Sequence, residues 1–265
     1  MIPLHLSAAV LSDTGPRRSG NEDAAFVAPF AAAVADGVGG GPAGEIAAAA
    51  LIHRVAASSR DVESVDRVRG LLRWSNWDLG AGVRQDPSIA GMATTFTGLF
   101  LSDNGLFLAH VGDSRGYLFR DGVLSRKTRD DSWVQHLVDS GMISPRDALT
   151  HPRRNIVTAS LHGDPRDGDS VTVTRLDARP GDRWLLCSDG ISDYLPEDAL
   201  VEALIENDDA SDTAAALVAL ALDAGTHDNA TAVVCDVVPG RSRVAGRACF
   251  AGAAADHFAE EAALA

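Results

Sequence analysis

The chain has 265 residues, and 37 acidic against 23 basic side chains leave a formal net charge of −14. A composition of 46% hydrophobic and 23% charged residues is that of a globular protein and excludes disorder as the dominant state. The acidity speaks against a nucleic-acid partner, which calls for a basic face, and permits a site built from carboxylates, the ligands of hard metal ions.

In chain order, the apolar run over residues 4–11 predicts a strand, and the polar stretch 12–23, rich in Gly, Pro and Arg, a loop. Residues 24–28 and 31–35 predict two short strands split by Pro29. Pro42 stands where the first turn of a helix tolerates its missing N–H, and Ile46, Ala50, Leu51 and Val55 give that helix one apolar face. A second helix is predicted over 62–84, with Val65, Val68, Leu72 and Leu79 in phase. Trp74 and Trp77, three apart on it, read as core packing rather than as a partner surface.

The middle of the chain is β-rich. Strands over 94–101 and 106–111 flank Asp103-Asn104-Gly105, and strands over 116–120 and 123–124 flank Asp121-Gly122, two hairpin signals. Residues 126–168 are polar, with a short helix over 132–140 and two X-Pro turns, and read as an excursion from the sheet. Strands over 171–176 and 183–188, helices over 196–206 and 213–224 and a strand over 230–238 follow. The alanine-rich tail, 239–265, predicts a frayed helix or disorder and carries no assigned role. Helices inserted between antiparallel hairpins predict an α+β fold with segregated layers.

Cys187, Cys235 and Cys249 are too scattered for a disulfide framework, and the lack of a CxxC pair excludes zinc on thiolates. The start of the chain lacks the basic and apolar regions of a signal peptide. No run of about 18 apolar residues predicts a membrane span. The expected location is the cytoplasm.

The aspartates carry the chemical signal. Asp36, Asp113 and Asp189 each end an apolar strand, while Asp23 and Asp228 each open one. A carboxylate beside buried strand residues is costly unless paired with a cation. One Asp-Gly is a turn; five acids at strand ends, if those ends meet, repel one another without cations. Such a cluster is an oxygen-ligand site for Mg²⁺ or Mn²⁺.

Arg18-Ser19-Gly20-Asn21-Glu22-Asp23, Ala35-Asp36-Gly37-Val38-Gly39-Gly40, Gly91-Met92-Ala93-Thr94-Thr95, Gly112-Asp113-Ser114-Arg115, Ser188-Asp189-Gly190 and Asp228-Asn229-Ala230-Thr231 stand in the order and spacing of PP2C-type (PPM) protein serine/threonine phosphatases. The chain resembles a bacterial member of that family over about residues 5–238. The resemblance implies a four-layer α/β/β/α sandwich, two antiparallel sheets flanked by helix pairs, with the metal site at one end. It implies a phosphatase domain over 1–238, a flap at 126–168 and the tail outside the domain.

Residue by residue, Asp36 matches the carboxylate that bridges two metal ions and Gly37 the backbone carbonyl ligand. Asp189 and Asp228 match ligands of the second ion. Asp23 and Glu22 match acids that hold a metal or its waters. Arg18 matches the arginine that grips the substrate phosphate, a task suited to a planar guanidinium. Asn229 matches a residue that orients Asp228. Asp113 matches the ligand of a third, weaker ion shared with Asp189; its rival reading is a turn acid paired with Arg115. Asn155 in the flap matches a position near that third ion.

The implied activity is Mn²⁺- or Mg²⁺-dependent hydrolysis of phosphoserine and phosphothreonine by direct attack of a metal-bridging hydroxide. The implied partners are phosphorylated proteins, substrates of bacterial Ser/Thr kinases, with the enzyme a monomer free of membrane and nucleic acid. No covalent intermediate is needed, so Cys187 reads as core. Many eukaryotic members carry a histidine where this chain has Val38, so the general acid is open; His110, His136, His151 and His227 are donors by type only.

Two rivals remain. Residues 39–44 fit GxGxxG between a strand and a helix, but Asp36 would face a pyrophosphate with like charge and the following strands form hairpins. A metal-free phospho-protein adaptor on the same fold is opposed by the retention of Asp36, Asp189 and Asp228.

Overall fold

The computed structural model describes residues 2–39, 42–60, 62–242 and 246–257. The chain opens with β1 (Leu4–Asp13), β2 (Asp23–Ala28) and β3 (Ala31–Val38), followed by the long helices α1 (Pro42–Ser58) and α2 (Val65–Gln85). Next come β4 (Ala93–Thr94), β5 (Phe96–Ser102), β6 (Gly105–Val111), β7 (Arg115–Arg120) and β8 (Val123–Arg126). The 126–168 excursion carries α3 (Trp133–Asp139) and α4 (Pro145–Ala148) and runs into α5 (Asp167–Ser170). The rest is β9 (Thr172–Leu176), β10 (Arg183–Cys187), α6 (Asp189–Ser192), α7 (Glu197–Glu206), α8 (Ala210–Asp223), β11 (Ala230–Pro239), β12 (Cys249–Gly252) and α9 (Ala253–Asp256).

One sheet runs β1-β11-β10-β7-β8 and the other β12-β2-β3-β5-β6-β9, with β4 pairing β3. Strand alternation builds the layers. On β2 and β3, Ala24, Phe26, Ala33 and Ala35 face α1 and α2, while Ala25, Val27, Ala32 and Val34 face the other sheet. On β10 and β11, Leu185, Cys187, Ala232 and Val234 face α7 and α8, while Trp184, Leu186, Val233 and Cys235 point inward. Both faces of these strands are covered, which is why they read as unbroken apolar runs. The result is the expected α+β sandwich of four layers. Every named strand pair is antiparallel, so the dinucleotide reading of residues 39–44 fails; residues 40 and 41 lie outside the described residues.

The Arg120↔Val123 hairpin turns at Asp121 (φ 54°) and Gly122 (φ 80°), a type I′ geometry. In the other hairpin the positive φ falls on Gly105 (125°) and not on Asn104.

Two expectations are corrected. Trp74 and Trp77 are 66% and 51% exposed and meet edge to face, 6.2 Å between ring centroids. The inner face of α2 is filled instead by Val68, Leu72, Ser75, Asn76, Leu79 and Gly80, and the tryptophans fall on the opposite side. The tail does not stand wholly outside the domain. Residues 249–252 pair with β2 along Cys249↔Val27 to Gly252↔Ala24, and Ala253 and Ala254 are buried against the α1 layer. The six residues of β2 are all buried, so its outer edge calls for a partner strand. Residues 258–265 lie outside the described residues.

Candidate active site

The β2–β3 register sets Asp23 directly opposite Asp36, a like-charge cross-strand pair that disfavours the sheet unless something compensates it. Compensation for Asp23 comes from the other sheet: Ser188 Oγ and Thr231 Oγ1 each donate to Asp23 Oδ2 at 2.6 Å. These bonds clamp the two sheets together at one end, where β10 runs out and β11 begins. Burial pushes the Asp23 carboxyl up to about 6, opposed by the two hydroxyls.

Asp36 hangs from the end of β3, its backbone fixed by Thr95. The Asp36 N–H donates to Thr95 Oγ1 (2.9 Å), and its carbonyl accepts from Thr95 N–H (2.9 Å). Burial, then repulsion from Asp23, Asp189, Asp113 and Asp228, holds the Asp36 carboxyl well above the usual range. Asp189 opens α6 and is raised for the same reasons, by burial and by Asp113, Asp193, Asp228 and Asp23. Asp113 follows β6, is 8% exposed, and is pushed up to about 7 by burial, Asp130 and Asp193. Five strand-end aspartates thus share one electrostatic site.

Two glycines let the backbone close around it. A Cβ on Gly37 would lie 2.5 Å from the Gly44 backbone, and one on Gly190 would overlap the Asn229 carbonyl. The first contact brings the initial turn of α1 onto the Gly37 peptide. Glu22 lies at the same edge, partly exposed, its carboxyl raised by burial.

Arg18 Nη2 donates to Asp228 Oδ2 at 2.7 Å, with the guanidinium side chain 39% exposed. An exposed pair of this kind is weak, so the arginine is free to meet another anion. Asn229 does not orient Asp228 with its side chain: its backbone N–H donates to Asp228 Oδ1 (2.8 Å). Its carboxamide braces the loop that carries Arg18 and Glu22. Nδ2 donates to the Thr14 and Gly20 carbonyls, and Oδ1 accepts from the Glu22 N–H.

The pair of Asp113 with Arg115 is not formed. Arg115 donates to Asp130 through Nε and Nη2, to the Ser192 carbonyl at 3.0 Å and to Asp193 at 3.4 Å. Asn155 is exposed, and its Oδ1 accepts from Arg154, which also binds Asp193 at 2.8 Å and so ties the excursion to the end of α6. His110 is buried between Thr97 and the Arg129 carbonyl, and burial lowers its pKa, which makes it neutral scaffold. His136 and His227 are exposed, and His151 Nδ1 accepts from the Arg153 N–H. Cys187 is fully buried and its thiol is pushed up to about 12, so it is inert.

Sequence reasoning missed the hydroxyls of Thr95, Ser188 and Thr231 and the carboxylate of Asp193. Asp193 carried a signal: it lies one helical turn beyond Asp189.

Among the described residues no three His, Cys, Asp or Glu side chains are drawn into a finished metal cage. Asp228 is occupied by Arg18, and Asp23 by two hydroxyls. The donor chemistry nevertheless fits a hard divalent ion. Asp36 and Asp189 are oxygen donors held against mutual repulsion, and a cation relieves that repulsion.

A family model described as Protein phosphatase 2C matches residues 20–228. The chain is 41% identical over 240 residues to the serine/threonine protein phosphatase PstP of Mycobacterium tuberculosis, covering 89% of this chain and 46% of that protein. It therefore spans about half the length of that curated relative. It is 30% identical over 209 residues to the serine/threonine phosphatase stp of Listeria monocytogenes, covering 76% and 82%. The crystal structure of the M. tuberculosis phosphatase PstP/Ppp superposes with a TM-score of 0.83 at 39% identity, covering 88% of this chain and 99% of that one. The PstP catalytic domain in complex with two manganese ions gives 0.81 at 39% identity, covering 89% and 99%. With the sandwich, the strand-end acids and these likenesses in agreement, the chain belongs to the protein phosphatase 2C family.

Proposed function

We propose that the chain is a divalent-metal-dependent protein serine/threonine phosphatase, acting on phosphoproteins made by bacterial Ser/Thr kinases, as a cytoplasmic monomer without a nucleic-acid partner. The observation that carries this reading is the convergence of Asp36, Asp189, Asp113 and Asp23, each raised by burial and neighbouring carboxylates. Two relatives bear phosphatase names, and one related structure holds two manganese ions.

Asp36, Asp23, the Gly37 carbonyl, Asp189 and Asp228 would hold two Mn²⁺ or Mg²⁺ ions. Asp113 with Asp189 would hold a weaker third, with Asn155 nearby. When bound, the ions supply an acidified water and neutralise phosphoryl charge. Arg18 swings from Asp228 to two phosphate oxygens and orients the ester. Thr95 keeps Asp36 in place, Ser188 and Thr231 keep Asp23 in place, and Asn229 holds the Arg18 loop against β11.

Hydrolysis of a phosphothreonine peptide after EDTA, and after Mn²⁺ is restored, tests the reading. Turnover should vanish and return, and Asp36→Asn should remain folded and inactive. Full turnover in EDTA would refute the metal site, and peptide binding without turnover under both conditions would identify an adaptor.

A further inference from the structure

The family match ends at residue 228, yet residues 246–257 return to the site end of the sandwich. We propose that this segment is a positioning clamp: it fixes the start of β2 and the first turn of α1, and so tightens cation binding at the aspartate cluster. The inference rests on the metal-site reading above.

The first jaw is Gly252. It has φ 62°, and a Cβ there would collide with the Asp23 carbonyl oxygen and stand 2.9 Å from Ser12 Oγ. Ser12 belongs to the relay that holds the Asp23 carboxylate. Thr231 donates its hydroxyl hydrogen to Asp23, so Ser12 must donate to Thr231 (2.7 Å), and Ser12 accepts from Asn21 Nδ2 (2.8 Å). Gly252 is thus packed against both the peptide of Asp23 and the hydroxyl that supports its side chain. Only glycine meets the backbone angle and the space together.

The second jaw closes on α1. His257 Nε2 meets Glu45 Oε1 in the first turn of that helix. Glu45 follows Gly44, whose backbone lies against the Gly37 peptide. Between the jaws the segment is held firmly. His53 Nε2 faces two carbonyls, Ala254 (2.7 Å) and His257 (3.0 Å), and therefore carries the hydrogen. The His53 ring stacks on Phe250 at 4.3 Å, and Phe250 pairs with Phe26 across the β12–β2 ladder. One run of chain therefore grips the start of β2, which presents Asp23, and the first turn of α1, which packs on the Gly37 peptide.

Groups that orient metal ligands from behind contribute about 10- to 100-fold in metal affinity. The test is calorimetric titration of the EDTA-stripped 265-residue chain with Mn²⁺, for the parent, Gly252→Ala, His257→Ala and His257→Gln. Gly252→Ala should weaken Mn²⁺ binding roughly tenfold while circular dichroism stays native. His257→Ala should also weaken it, and His257→Gln, which keeps a donor for Glu45, should restore most of the loss. At saturating Mn²⁺, kcat should return to the parental value, because the clamp acts through the ligands and not on the ester. Unchanged Mn²⁺ affinity in a folded Gly252→Ala protein overturns the clamp, as does equal loss for Ala and Gln at 257. Should the parent itself bind no Mn²⁺, the metal reading fails. The clamp is then judged by hydrogen exchange: faster exchange at residues 23–28 and 42–47 in the Gly252 and His257 variants supports it, and parental protection overturns it.

Discussion

Without a bound cation, the protein should become less stable as pH rises from 5 to 8. The Asp113 carboxyl titrates near 3.8 in an unfolded chain and near 7 in the fold. Between those values the folded state holds a proton that the unfolded state has lost, so raising the pH favours unfolding. The penalty is absent below the unfolded pKa and complete above the folded one. Each pKa unit is worth about 1.4 kcal/mol, so Asp113 removes about 3 kcal/mol between pH 5 and 8. Asp23, titrating near 6, removes about 1 kcal/mol more between pH 5 and 6. Asp36 and Asp189 are shifted in the same direction and add to the trend.

For a chain of this length about 4 kcal/mol corresponds to a fall in Tm of roughly 10 °C. Scanning calorimetry in EDTA at pH 5, 6, 7 and 8 measures it. Adding Mn²⁺ should raise Tm more at pH 8 than at pH 5, because only ionised carboxylates gain from the cation. Asp113→Asn should lessen the slope between pH 6 and 8, leaving the part that Asp36 and Asp189 contribute. A Tm in EDTA that is level or rising from pH 5 to 8 would refute the claim that these acids are buried and crowded together at one unneutralised site.

Arg18→Ala should raise KM for a phosphopeptide roughly tenfold or more with a smaller change in kcat, since a guanidinium that leaves Asp228 for phosphate binds ground and transition states alike. A kcat loss at constant KM would assign it to transition-state charge alone. Trp74→Ser and Trp77→Ser should each change stability by less than about 1 kcal/mol in thermal melts, because both rings are exposed. A loss of about 3 kcal/mol or more would return them to the core.

The acids of the candidate site were legible because each broke a local rule. Asp36, Asp113 and Asp189 each close an apolar strand with a charge, a placement that costs stability unless chemistry requires it. Their supporting hydroxyls were not legible. Thr95, Ser188 and Thr231 sit in β-rich surroundings where serine and threonine are ordinary, and only the fold reveals that their oxygens meet Asp36 and Asp23. The tryptophans misled for a related reason. Hydrophobicity predicts burial, but the buried arc of α2 includes Ser75, Asn76 and Gly80, positions chosen by what they touch. Asn76 donates to the Asp164 carbonyl at 2.7 Å and accepts from Gly163 N–H at 2.8 Å, and Gly80 lies against Gly163. Helix and loop meet there through small and amide groups, and the face left over holds the indoles.

The tail was illegible for a different reason. β12 is four residues, Cys249–Gly252, with no alternation to distinguish it from the alanines around it. Its strand character comes from the open edge of β2, more than two hundred residues earlier in the chain. The same dependence explains Asn229. Beside Asp228 it reads as a residue serving its neighbour, and its backbone N–H does so. Its side chain reaches instead to Thr14, Gly20 and Glu22, which lie beside β11 only because β1 pairs with that strand from Asp13↔Ala230 onward. Local rules therefore locate the charged groups, which are expensive wherever they stand, while the groups that make the charge tolerable are cheap and anonymous until strands from opposite ends of the chain are laid side by side.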